Sequence, residues 1–189
     1  PDLIVGGYIT PLRAYHNNGG TLENDVWWSS EEPGSIGGME LADMDGDGDL
    51  DLIAGFDGSR NGIFSNNNGT LERSPSWESA DMGTTLSVVV GDIDGDGDND
   101  VIFGNADADD EIYLNRNRAI NSNYGWHDDI LASSAAVISA DINDDGYMDL
   151  FVGNYPPNDE AENFSMGGDG TDLLYFGTEN GLSTTPGWH

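Results

Sequence analysis

Asp92-Ile93-Asp94-Gly95-Asp96-Gly97-Asp98-Asn99-Asp100, running straight into Val101-Ile102-Phe103-Gly104, is the stretch on which the fold turns. Its skeleton is Asp-x-Asp-x-Asp-Gly-x-x-Asp followed by a short apolar strand that ends in glycine. The same skeleton spans Asp43 to Asp51 before Leu52-Ile53-Ala54-Gly55, and Asp141 to Asp149 before Leu150-Phe151-Val152-Gly153, with Asn143 at the third position. The starts at 43, 92 and 141 are 49 residues apart. An acidic loop that recurs in step with a strand belongs to a repeat architecture.

The spacing also states a chemistry. A hard cation such as Ca²⁺ takes about six to eight oxygen ligands at roughly 2.3–2.6 Å. A tight loop supplies them by turning the side chains of positions one, three, five and nine inward and adding the carbonyl of position seven. The expected ligands are Asp43, Asp45, Asp47 and Asp51 with the Asp49 carbonyl. In the second loop they are Asp92, Asp94, Asp96 and Asp100 with the Asp98 carbonyl. In the third they are Asp141, Asn143, Asp145 and Asp149 with the Tyr147 carbonyl. Gly48, Gly97 and Gly146 follow position five, where a sharp turn favours a residue that tolerates positive φ. An EF-hand requires a glutamate at position twelve, but here that position is Ala54, Phe103 or Val152. Dockerin loops sit on helices, and the β-roll repeat has a different period.

Other features keep the 49-residue phase. Tyr15, Phe64 and Tyr113 each lie nine residues after Gly6, Gly55 and Gly104, and an asparagine-rich turn follows each. Tryptophan stands at 28, 77 and 126, and an apolar run such as Val88-Val89-Val90 leads into each loop. About four short strands per unit is the content of one β-propeller blade. The expected fold is therefore all-β, a propeller or propeller segment of about four four-stranded blades. Its units divide near 1–42, 43–91, 92–140 and 141–189, with an insertion within 154–172. Asp2 occupies the phase of a ninth loop position, so the chain is expected to be part of a longer one.

The pattern resembles the FG-GAP/VCBS repeat, the blade of integrin-α-type propellers; Phe103-Gly104 gives the Phe-Gly pair itself. The resemblance covers the whole chain apart from the insertion. It implies structural Ca²⁺ in the aspartate loops, about three ions here. It also implies a role in adhesion, surface assembly or carbohydrate recognition.

Composition narrows the function classes. Thirty-six acidic residues face five basic ones, all arginine, for a net charge of −31. Such a surface repels nucleic acid and anionic membranes. Without cysteine there are neither disulfides nor thiolate metal sites, and no apolar run is long enough to span a membrane. His16, His127 and His189 share no metal-ligand spacing, and no nucleophile elbow or phosphate loop is present. The expectation is a non-catalytic extracellular or cell-surface module with a protein or glycan ligand, also able to assemble with itself through incomplete blades. The alternative is a lectin or a domain of a polysaccharide-degrading enzyme. Trp28, Trp77 and Trp126, sharing one phase, are expected to pack between blades. Trp27, Tyr155, Phe164 and the inserted Glu160 and Glu162 are the candidates for a ligand surface. The sequons at Asn68 and Asn163 fall in expected surface turns.

Overall fold

A computed structural model of the chain describes residues 2–106, 108–121, 126–127, 134–154, 171–179 and 181–187. The expected ligand-surface residues Tyr155, Glu160, Glu162 and Phe164, the sequon at Asn163 and the side chain of Trp126 lie outside these residues. The described residues are all-β. In chain order the strands are β1 (Leu3–Val5), β2 (Arg13–Asn18), β3 (Thr21–Ser29), β4 (Ile36–Ala42), β5 (Asp51–Phe64), β6 (Asn66–Asn67) and β7 (Thr70–Leu71). Then follow β8 (Trp77–Gly91), β9 (Asp100–Ala106), β10 (Glu111–Tyr113), β11 (Trp126–His127), β12 (Ser134–Ala140), β13 (Asp149–Asn154) and β14 (Leu173–Tyr175). All pairing between these strands is antiparallel, as a meander of short connections requires.

Each acidic loop joins two paired strands: β4 to β5, β8 to β9, and β12 to β13. One strand bridges two units: the first half of β8 pairs with β5 and its second half with β9, so six strands from three consecutive units form one sheet. β5 doubles back. A straight strand advances about 3.3 Å per residue, which would separate residues 56 and 61 by roughly 17 Å. Yet the Phe56 N–H donates to Asn61 Oδ1 at 2.9 Å, and Gly58 between them takes φ +76°. One period on, the same positions are the hairpin of β9 and β10, where the Asn105 N–H donates to Asp110 Oδ1 at 2.8 Å. Beyond the insertion the Asn154 N–H donates to Asp172 Oδ1 at 3.0 Å.

The strands that follow the loops are buried on both faces, which explains their unbroken apolar runs. Alternate residues feed successive seams. Leu52 and Ala54 pack towards the first unit with Leu12, Ala14, Trp28 and Phe64. Ile53 points the other way, into a cluster with Val88, Val101, Phe103 and Tyr113. Ile102 in turn joins Val137, Leu150, Val152 and Tyr175. Among the described residues three cores result, one per seam, each built from two consecutive units.

Trp28 and Trp77, two of the phased tryptophans, sit in these seams. Trp28 packs edge-on to Phe64 at 5.9 Å and donates its Nε1–H to the Leu71 carbonyl at 2.9 Å. Trp77 meets Tyr113 edge-on at 4.9 Å and stacks over Phe103 at 6.5 Å. In two of the units the glycine that ends the loop-following strand leaves no room for a side chain. A Cβ on Gly55 would stand 2.5 Å from Thr85 Cγ2, and one on Gly104 would stand 2.7 Å from Ser87 Oγ.

A buried polar chain also crosses the units. Asn61 Nδ2–H donates to Thr85 Oγ1 at 2.9 Å, and that hydroxyl donates to Asn105 Oδ1 at 2.8 Å. Asp110 then takes the Asn105 N–H and the Ser134 hydroxyl, the latter at 2.7 Å. Thr85 and Ser134 are one period apart, so the same link is made at two seams. Each member is satisfied, as burial demands.

Candidate metal centre

Each loop is a nest of backbone N–H groups folded around its first aspartate. Asp43 accepts from the N–H of Gly46 at 2.7 Å, Asp47 at 3.2 Å and Gly48 at 3.0 Å. Asp92 accepts from Gly97 at 3.0 Å, and Asp141 from Asp145 at 3.1 Å and Gly146 at 2.9 Å. Wrapping the chain this tightly requires left-handed backbone: Gly48, Gly97 and Gly146 have φ of +96°, +94° and +90°. The fourth position is left-handed too, as Gly46, Gly95 and, with φ +62°, Asp144.

These turns bring three carboxylates of each of the first two loops together. Ligand oxygens of Asp43, Asp45 and Asp51 lie within 4.8 Å of one another, as do those of Asp92, Asp94 and Asp100. Both clusters could hold a metal ion. Among the described residues Asp92 Oδ1 and Asp94 Oδ1 are buried acceptors without a hydrogen-bond partner. Oxygens left in that state fit a cation, since an unpaired buried anion is costly and a cation relieves it. In the third loop Asn143 holds position three and the internal turns are the same, with Asn143 Oδ1 accepting from the Asp145 N–H at 2.9 Å. Asp141, Asn143 and Asp145 are exposed there.

The other expected ligands take more particular places. Position five is exposed in all three loops and turns onto position seven: Asp47 accepts from the Asp49 N–H at 2.8 Å, Asp96 from Asp98 at 3.0 Å, and Asp145 from Tyr147 at 3.0 Å. The side chains of Asp49 and Asp98 reach across the unit, accepting from the N–H of Asn68 at 2.6 Å and of Arg118 at 3.1 Å. That ties the loop to the asparagine-rich turn.

Position nine is a staple. Asp100 is fully buried; its Oδ2 accepts from the Ile93 N–H at 2.8 Å and its Oδ1 from the Asn115 N–H at 2.7 Å. Asp51 does the same with Met44 at 2.9 Å and Asn66 at 2.7 Å, and Asp149 with Ile142 at 2.9 Å and Gly177 at 2.8 Å. Each carboxylate pins the start of its loop to the turn after the aromatic strand. Spacing along the chain places these aspartates in the loop; their second partner, 15 residues downstream in the first two units, has no signal in the loop motif. Burial pushes the Asp100 carboxyl up to about 6, against the pull of its two N–H donors. Burial raises Asp51 as well. Carboxylates held this way call for a proton or a cation.

The second loop carries an ion pair on a ligand oxygen, whereas the Arg118 guanidinium lies against Gly46 of the first loop without one among the described residues. Arg116 donates through Nε at 3.0 Å and Nη2 at 2.7 Å to Asp94 Oδ2. A guanidinium on a ligand oxygen competes with an incoming ion. Replacing Arg116 with Gln is therefore expected to tighten one of the divalent sites by about threefold to tenfold, the scale of one partly screened charge. Competition against a calcium-sensitive chelator dye measures this, and unchanged affinities at every site would refute it.

The candidates for a ligand surface divide. Trp27 lies flat on the His16 ring at 4.7 Å, and His16 Nδ1 pairs with Asp2 Oδ2 at 3.0 Å. Among the described residues that exposed stack belongs to the first unit alone.

Residues 1–54, 44–103 and 92–152 each match the profile of the FG-GAP-like repeat. The chain belongs to the FG-GAP-like repeat family. Its three matched segments each take in at least part of an acidic loop or of its following strand, so the family match and the metal geometry rest on the same residues. None of the curated proteins compared with the chain matches it. FG-GAP-like repeats make propeller-type modules and are typically non-catalytic. No helix among the described residues is long and apolar enough to cross a membrane.

Proposed function

We propose that this FG-GAP-like segment is a calcium-stabilised, non-catalytic recognition module that works outside the cell. The observation that carries the proposal is the pair of orphaned oxygens on Asp92 and Asp94, inside a carboxylate cluster that recurs at Asp43, Asp45 and Asp51. With Ca²⁺ bound, positions one, three and nine, joined by the exposed position-five carboxylate and the position-seven carbonyl, would hold the ion. The ion neutralises charges that otherwise repel, and so fixes the turn between the two paired strands that flank each loop. Three such sites, including Asp141, Asn143, Asp145, Tyr147 and Asp149, are assigned to this chain.

Extracellular work follows from chemistry. Loops this exposed bind calcium weakly, and calcium near ~1 mM, as outside cells, fills weak sites. The surface left over remains acidic. Its ligand in this proposal is a glycan or a protein met at the rim, with self-assembly through shared sheets as the competing arrangement; the acidic surface disfavours nucleic acid and anionic membranes.

Calorimetric titration of metal-free protein with Ca²⁺ tests the proposal. Three equivalents bound, each lost with Asp45→Ala, Asp94→Ala or Asp141→Ala in turn, is the expected result. Fewer than one equivalent at millimolar calcium refutes it.

A further inference from the structure

A cavity of about 230 Å³ lies in the seam between the first and second units, lined by none of the metal-loop residues. Pro33, Phe56, Phe64 and Pro75 give it apolar walls, and Arg60 and Arg73 also line it. Two of the five basic residues in a chain of 36 acids thus meet at one cavity.

Both guanidiniums are tethered to backbone carbonyls. Arg60 Nη1 donates to the Ser79 carbonyl, and Arg73 Nε donates to the Ser29 carbonyl at 2.9 Å. Among the described residues neither forms an ion pair, whereas Arg116 does. A guanidinium has about five N–H donors in a planar fork, so each tethered side chain still presents most of its donors. Nor is this a feature of the repeat. One period on, the positions of Arg60 and Arg73 hold Asp109 and Ser122; one period back they hold Pro11 and Asn24. Phe56 is likewise particular to this seam, since its later counterparts are Asn105 and Asn154, whose amides hydrogen-bond within their own units and seams. A structural role common to all blades would have recurred.

We propose that this cavity binds a hexuronate unit of an acidic polysaccharide, its carboxylate gripped by Arg60 and Arg73. The planar fork of arginine matches a carboxylate. The volume suits one six-membered ring, whose apolar face lies against the proline and phenylalanine walls. Glu32 and Glu78 share the lining and would repel a bare anion, but they accept hydrogen bonds from ring hydroxyls. A ligand with one carboxylate and several hydroxyl donors satisfies both signs of charge. This inference rests on the proposed recognition role and deepens it, without using the metal loops.

The test is titration at fixed free Ca²⁺ with glucuronate and galacturonate, and with glucose, galactose and acetate as controls. One uronate is expected to bind at least about tenfold more tightly than its neutral sugar and than acetate, the scale of a charge-assisted hydrogen bond. Arg60→Gln and Arg73→Gln are each expected to weaken it by about tenfold or more at parent-like melting temperature. Should Arg60→Gln fail to fold, Arg73→Gln and Arg73→Lys carry the test, the lysine restoring charge without the fork and so only part of the affinity. Equal binding of acetate or of the neutral sugar overturns the proposal, as does no uronate binding at all. Uronate binding that survives both arginine substitutions but vanishes with Asp45→Ala also overturns it, because the sugar is then held by the loop metal. Melting in EDTA against calcium reports separately on the metal-stabilised module.

Discussion

In EDTA the protein is expected to melt about 10–15 °C below its melting temperature in millimolar calcium. Each ion held at roughly ten times its dissociation constant adds about 1.4 kcal/mol to folding, so three add about 4 kcal/mol. For a domain of this size about 1 kcal/mol moves the midpoint by roughly 2–4 °C. The pH dependence should invert with the ion. Without calcium the folded Asp100 carboxyl titrates at about 6, raised by burial, and so binds its proton more tightly than the unfolded chain does. That contribution is complete below the unfolded value and is lost as pH climbs through the folded one, so metal-free protein melts higher near pH ~5 than near pH ~7.5. In calcium, protons compete with the ion and the order reverses. Differential scanning fluorimetry at both pH values reads all four conditions. Identical melting with and without calcium would remove the metal from this account.

Asp100→Ala is expected to cost about 2–5 kcal/mol, because it strands the buried N–H groups of Ile93 and Asn115 at about 1–3 kcal/mol each. The midpoint should fall by roughly 10 °C. Asp96→Ala, an exposed change, should cost in EDTA no more than about 0.5 kcal/mol. EDTA separates two roles for Asp100. A staple is made without metal, so the loss persists in the chelator. If Asp100→Ala and the parent melt together in EDTA, Asp100 acts only through the ion.

Much of this was legible in residues alone. The 49-residue phase of the loops, aromatics and tryptophans implied a repeated all-β unit, and the described residues form antiparallel sheets of two, three and six strands. Expecting Trp28 and Trp77 in the seams was sound because a common phase in a stacked repeat has a common neighbour. The doubling back of β5 at Gly58 was not legible, and neither was the use of β8 by two units. Nor was the second partner of each position-nine aspartate. All three depend on where the chain returns after the loop.

The repeat, the all-β class and the carboxylate sets could all be read from the order of residues, because period and ligand spacing are local properties of a chain. It took the folded arrangement to settle which carboxylates cluster, which act as staples, and that two arginines with no phase partners share one cavity. Those outcomes depend on through-space distances between residues far apart along the chain, such as Ser29 and Arg73, and no local pattern encodes them.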